Sequence, residues 1–517
     1  MKTARAVWGV AKADFLERVR RFSFLALCAL SVFFTFWFIP HPTGFTALVI
    51  EPDVFLQGSD PSWIPMSVAM CGGIMLCLLG FAYILNSVQR DWKSGILSLL
   101  RTSPTKRTAY LFGKLISDTL LLLCLLAAIM AGAFLTMEIR FPNRFLAPWD
   151  FFSPFLCVIP GLIFVSAFAL LMECAPLFRR KSGLSITLFF CFSVAVLFFA
   201  AMNINPYRLV SVFDFSGYLW MRDSVSAAAR SVTGRSLTMM GVFTDIHTGA
   251  GTNLKILAFH GLLPAASYLL DKLVLLLVSV LLTLLASCLL PKTEKVFSIS
   301  KSPAVPSKAI DSSRPVIPAY EFGLFHAELR KALGPQSIFW WICAAGLWIA
   351  CLFSPMNVVQ NTLFALVFVW LIPIFSRMGC MEHQSGMTNV LCTIPGAMLR
   401  QAYACWQAGA VVSLVAALPV LFRFLCLADG AGFLSALIFV LFVPSMALFL
   451  GEWSASNRPF EVLMLLLCFL SLNIPSLLIV TQSFAFSGMR IIITILMTAV
   501  MLFLSFCKRL TEEKAQV

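Results

Sequence analysis

The chain has 517 residues, of which 60% are hydrophobic, 13% aromatic and only 12% charged, with a mean hydropathy of +0.91. Globular domains carry about 25% charged residues, so this composition excludes an ordinary soluble protein and predicts an integral membrane one. The net charge of +14 does not argue for nucleic acid, because the Lys and Arg residues stand in short segments beside apolar runs, where they set orientation and meet anionic headgroups.

The first feature in chain order is a short basic amphipathic segment. Val7, Trp8, Val10, Ala11, Phe15 and Leu16 share a face, with Lys12, Arg18, Arg20 and Arg21 placed for headgroups, which predicts a helix lying in the membrane interface. A spanning helix needs about 20 apolar residues to cross roughly 30 Å of hydrocarbon. Six such runs follow, near Phe22 to Ile39, Ile64 to Val88, Leu115 to Met137, Phe155 to Met172, Leu184 to Met202 and Leu269 to Leu290. A long segment, 203–268, separates the fifth from the sixth, and Asp214 to Val232 within it reads as an interfacial or re-entrant helix. Pro291 to Pro318 is polar and rich in Lys, Ser and Pro, the composition of a linker. Phe322, Leu324, Phe325 and Leu329 with Arg330 and Lys331 then repeat the amphipathic theme. Six more apolar runs lie near Ser337 to Phe353, Thr362 to Phe375, Ala404 to Leu427, Phe433 to Leu450, Val462 to Val480 and Ile491 to Cys507.

One loop occurs twice. Asp91, Ser94, Gly95, Leu100, Thr102 and Pro104 fall opposite Glu382, Ser385, Gly386, Leu391, Thr393 and Pro395 at one constant spacing of 291 residues, which predicts two homologous halves. The expected fold is an all-α polytopic membrane protein with about 12 transmembrane helices in two six-helix halves, each preceded by an amphipathic interfacial helix. The halves are residues 1–290 and 319–517, with a cytoplasmic linker over 291–318. With a cytoplasmic N-terminus, the inner segments hold 28 of the 38 Lys and Arg residues, so both termini are expected inside and 203–268 outside.

Chemistry-bearing constellations are sparse. The sixteen cysteines avoid the long outer segments, which argues against a disulfide framework, and neither they nor the five histidines have metal-ligand spacing. A Walker A pattern is absent, so no ATP-cradling loop is expected and the chain reads as no enzyme. The centres of the expected spans carry no ionisable residue; Asp118, Asp271, Lys272, Arg423, Glu461 and Arg490 fall at span ends. Ion-coupled carriers place such groups at depth, so an external energy source is the better reading.

The loop from Arg90 to Arg107, followed by Gly113 and Lys114, resembles the coupling loop of type 2 ABC exporter permeases (the ABC-2-type transmembrane subunit). That family has an acid four residues before a Gly, a Leu five after it, a Pro nine after it and an Arg twelve after it. Asp91, Gly95, Leu100, Pro104 and Arg107 meet the whole pattern, and Glu382, Gly386, Leu391 and Pro395 meet it except for the basic residue, where Met398 stands. The family's second acid, two before the Gly, is Lys93 in one loop and Gln384 in the other.

The resemblance implies two permease halves fused in one chain of a bacterial cytoplasmic (plasma) membrane, working with two copies of a separate ABC ATP-binding subunit that holds ATP and Mg, with no cofactor in the chain itself. Its loops would dock on that subunit through an apolar face including Trp92, Ile96, Leu99 and Leu100, with Asp91 and Glu382 in water. The substrate would be amphipathic or hydrophobic (a peptide, drug or lipid-like molecule), exported by alternating access. Glu173 and Arg179, and likewise Glu452 and Arg458, form a second matched pair at the inner end of a fourth span, read either as a solvated pair or as a gate. The alternative class is an ion-coupled secondary transporter with 12 spans. Membrane lipids are expected contacts and nucleic acid is not.

Overall fold

In hydrocarbon, a long apolar run satisfies its backbone only as a helix or a closed barrel, and helices dominate this chain. The computed structural model describes residues 2–39, 46–96, 106–142, 144–178, 182–202, 208–235, 237, 240–244, 254–290, 321–336, 338–394, 396–473, 478 and 484–516. The chain divides into two units, Met1–Phe297 and Ser298–Val517.

In the first unit, α1 (Lys2–Val19) leads into α2 (Phe22–Thr35). The strand β1 (Thr46–Ile50), the long α3 (Trp63–Ile84) and the short α4 (Ser87–Lys93) follow. Then come α5 (Arg107–Arg140), α6 (Pro148–Leu156), α7 (Ile159–Cys174) and α8 (Ser182–Ala201). The long segment folds as α9 (Leu209–Phe213), α10 (Tyr218–Thr233) and β2 (Met240–Thr244), and α11 (Ala266–Leu289) closes the unit. The expected helix within Asp214 to Val232 is α10; Asp214 accepts from the backbone N–H groups of Tyr218 and Leu219 and so satisfies its first turn. Outside the all-α expectation, β2 pairs antiparallel with β1, Ile50 opposite Met240 and Leu48 opposite Val242. The core between α3, α7 and α8 is aromatic: Phe81 stacks on Phe189 at 4.0 Å, and Phe164 on Phe215 at 6.2 Å.

The second unit opens with α12 (Glu321–Leu333) and α13 (Ile338–Phe353). After α14 (Phe364–Phe375) come two short helices, α15 (Met381–Ser385) and α16 (Thr388–Leu391). Long helices complete it: α17 (Ala397–Cys426), α18 (Gly430–Ser454), α19 (Arg458–Asn473) and α20 (Phe484–Gln516).

Among the described residues, nine helices are long and apolar enough to cross a membrane, and a tenth results if α12 and α13 are one bent span. The chain is therefore a multi-pass, mainly α-helical membrane protein. Three of the twelve expected spans come out short, among them Ser337 to Phe353, which yields the 16-residue α13. Phe22 to Ile39 yields a 14-residue helix with a 3-10 turn, and Val462 to Val480 the 16-residue α19, continuing into residues outside the described set. At 1.5 Å per residue they cover about 21 and 24 Å, less than the roughly 30 Å of a bilayer core. The linker, 291–318, lies outside the described residues. All sixteen cysteines are free thiols.

Candidate functional site

The repeated loop is held in each unit by buried ion pairs. In the first unit, α4 begins where Asn86 takes a left-handed conformation (φ +72°), a region Asn tolerates better than most residues. The new helix leaves its first N–H groups without partners. Glu173, at the end of α7, supplies the acceptors: its carboxylate takes hydrogen bonds from the N–H of Ser87 at 2.9 Å, Val88 at 2.7 Å and Gln89 at 3.3 Å. A negative group at that end also meets the positive end of the helix dipole. Glu173 thus caps the loop helix, while Arg179, its expected partner, lies outside the described residues.

Asp91, near the end of α4, is buried, contrary to the expectation that it stands in water. Its Oδ2 accepts from Tyr110 Oη at 2.7 Å and pairs with Lys114 Nζ at 2.6 Å. Lys114 also binds Asp14 of α1 at 2.6 Å; Asp14 pairs with Arg18 at 2.5 Å and Arg90 at 3.2 Å and accepts from Ser117 at 2.6 Å. Arg18 reaches Asp118 at 2.6 Å. Acids and bases therefore alternate along Asp91, Lys114, Asp14, Arg18 and Asp118, joining α1, α4 and α5. Burial pushes the Asp14 carboxyl up, but the charges of Lys114 and Arg18 outweigh it and hold the group below the usual aspartate value.

Two sequence expectations change here. Arg18 faces inward to two carboxylates instead of headgroups, and Asp118, with Lys114, is buried within the continuous helix α5. Gly113 makes the close crossing possible, because a Cβ there would stand 2.8 Å from Val10 Cβ and 2.9 Å from the Val7 carbonyl oxygen. Trp92 is half-buried and packs against the cluster containing Val88, Tyr110, Leu111 and Leu290, whereas Ile96 is exposed. Arg107 begins α5 and donates to the Leu290 carbonyl at 3.4 Å. Leu99, Leu100 and Pro104 lie outside the described residues.

In the second unit, Glu382 is likewise buried. Its Oε1 binds Lys331 Nζ of α12 at 2.5 Å and accepts from Gln401 Nε2 at 2.8 Å, and Arg509 of α20 approaches Oε2 at 3.8 Å. Burial raises the Glu382 carboxyl and Lys331 outweighs that effect, so the group sits below the usual glutamate value. The partner of Glu452 is also Arg509, Nε to Oε1 at 2.8 Å, both side chains 1% exposed. Arg458 opens α19. Glu513 of α20 accepts from the Gly396 N–H at 2.6 Å, capping α17 much as Glu173 caps α4. Leu391 ends α16, and Pro395 lies outside the described residues.

The two loops agree beyond the motif. Gly95 (φ +77°) follows α4 and Gly386 (φ +71°) ends α15, both in the left-handed region, which explains a glycine four residues after the acid in each. Tyr110 and Gln401 stand at the common 291-residue spacing, and each hydrogen-bonds its unit's loop acid. Sequence reading missed this pair because it compared residues of like chemistry, and a phenol and an amide share only the donor role. It also missed Asp14 and Arg509, and it read Lys331 as part of a basic face where the structure pairs it with Glu382, because Lys114, Glu382 and Glu452, which these residues meet, are distant in sequence.

Among the described residues no group of three or more His, Cys, Asp or Glu side chains could hold a metal. What the geometry provides is attachment: in each unit a short helix is tied by charge to two neighbouring helices. No protein-family model, curated protein or solved structure matches the chain.

Proposed function

We propose that this chain is the permease subunit of an ATP-driven exporter of the ABC-2 type, with two homologous six-span halves fused in one polypeptide. It works with two copies of a separate ATP-binding subunit that holds ATP and Mg, and it moves an amphipathic or hydrophobic substrate across the bacterial plasma membrane by alternating access. Both termini and the 291–318 linker are cytoplasmic and 203–268 is external, following the distribution of Lys and Arg.

The observation that carries this reading is the paired loop: a short helix, a glycine-closed turn and an acid locked to neighbouring helices, present in both units. A permease without a nucleotide site must receive force through such rigid elements. A loop tethered only by its chain ends would yield instead of transmitting.

The second reading, an ion-coupled carrier, is favoured by one specific feature, the buried Lys114 and Asp118 inside α5. Their charges are matched within the chain by Asp14, Asp91 and Arg18, the pattern of a structural joint. Purification of the chain from its native membrane separates the two. An ATPase subunit that co-purifies, with transport only in the presence of ATP, supports the exporter; ion-gradient-driven transport by the isolated chain in vesicles puts the carrier first.

A further inference from the structure

Helices α12 and α13 meet at 96°. If α13, whose Ile338, Phe339, Ile342 and Phe353 are exposed, stands in hydrocarbon, α12 lies along the membrane surface. In the corner is a groove of about 420 Å³ lined by His326, Leu329, Arg330, Leu333, Gln336 and Trp341.

Helix α12 divides its polar residues. Glu328 and Lys331 turn to Glu382 and Gln401, whereas His326 and Arg330, one helical turn apart, line the groove. Among the described residues, neither His326 nor Arg330 has a carboxylate within the 4.0 Å of an ion pair. Arg18 of the first unit, by contrast, is buried between two acids.

We propose that this groove is a binding site for one anionic glycerophospholipid. The phosphate lies against the Arg330 guanidinium, whose planar fork suits phosphate oxygens, with His326 and Gln336 as further N–H donors. The acyl chains run down the wall formed by Leu333, Trp341 and α13. Trp341, half-exposed at the junction, has the amphipathic ring that favours headgroup depth. A zwitterionic lipid brings its own ammonium group toward Arg330 and binds less well, so the site selects by net charge. The site needs only a membrane-spanning chain and is independent of the exporter reading.

Native mass spectrometry of the purified full-length chain tests it, with dioleoyl phosphatidylglycerol and dioleoyl phosphatidylcholine titrated separately in detergent. One phosphatidylglycerol should be retained about tenfold more strongly than phosphatidylcholine, roughly 1.4 kcal/mol. Arg330→Glu should abolish that preference, and Leu333→Trp, which fills the groove and leaves all three donors in place, should weaken retention of the first lipid several-fold. Arg235→Glu, on the exposed end beyond α10, should change nothing. Gel-filtration elution and melting temperature report whether each variant is folded. Equal retention of the two lipids by the unaltered chain overturns the proposal, as does a preference that survives both Arg330→Glu and Leu333→Trp. That last outcome would mean the groove is covered by protein or ordinary annular lipid.

Discussion

Lys114 illustrates what a buried charge does in this chain. It stands between Asp14 and Asp91, each at 2.6 Å, and is almost wholly excluded from solvent. Removing one member of such a set strands its partners in a low-dielectric site, which costs about 3–5 kcal/mol. Lys114→Met should lower the chain's melting temperature in detergent markedly, whereas Tyr110→Phe, which removes one hydrogen bond to a charged acceptor, should cost only about 1.5–3 kcal/mol. The same burial revises what charge reversal at Asp91 or Glu382 means: it perturbs folding, and any loss of partner binding in such a variant is indirect. A pH effect follows for Glu382. Its folded-state value lies below the ordinary 4.5, so its contribution to stability is present above that pH and disappears as pH falls through and below it. Melting measured from pH 7 to pH 3 should show a loss below about 4.5 that is smaller in Glu382→Gln. Of this network, the sequence shows only the local parts, such as the Asp14 to Arg18 spacing of one helical turn. The link from Asp14 to Lys114 spans 100 residues and depends on how α1 crosses α5.

The helices were legible where an apolar run was long, and less so where charge intervened. The expected third span begins at Leu115, whereas α5 continues back to Arg107 and holds Lys114 between Asp14 and Asp91. The loop motif was legible in its residues but not in its role. Its acid looks like surface chemistry until α1 or α12 is folded over it. The glycines are the exception, since a fixed glycine after a short helix has a backbone reason. Asn86 shows that Asn is accommodated in the same left-handed region (φ +72°). Gly386→Asn should therefore be nearly neutral and Gly386→Val should cost about 1–2 kcal/mol, because nothing lies within 4 Å of a Cβ there and only the backbone objects. Urea denaturation midpoints, or melting temperatures where urea denaturation is irreversible, would measure the difference. Equal losses for Asn and Val would mean that the turn matters less than the space around it.

At the scale of the whole molecule, two units carry the same loop on differently built joints. The first unit draws the counter-charge for its loop acid from α5, and the second from α12 and α20. With the acids turned inward, the exposed apolar side chains among the described loop residues are Ile96 in the first and Met387, Val390 and Ile394 in the second, each more than 40% exposed, beside the exposed polar Ser94, Gln384, Ser385 and Thr393. Met387, Val390 and Ile394 follow one another at three and four residues, the spacing that places side chains on one side of a helical turn and that a groove in a partner can accept. If the exporter reading holds, this face and not the acids meets the ATP-binding subunit. Ile96→Glu, Val390→Glu and the two combined should leave the melting temperature within about 0.5 kcal/mol of the parent, as surface changes usually do. The combined variant should lose co-purification of the ATPase at matched membrane expression. Asp91→Asn should behave the other way round, with lower stability and co-purification falling only in proportion to folded chain. A combined loop variant that retains the ATPase and couples hydrolysis to transport normally would remove the docking role from this face. The repeated loop would then be a record of ancestry held in place by its buried charges.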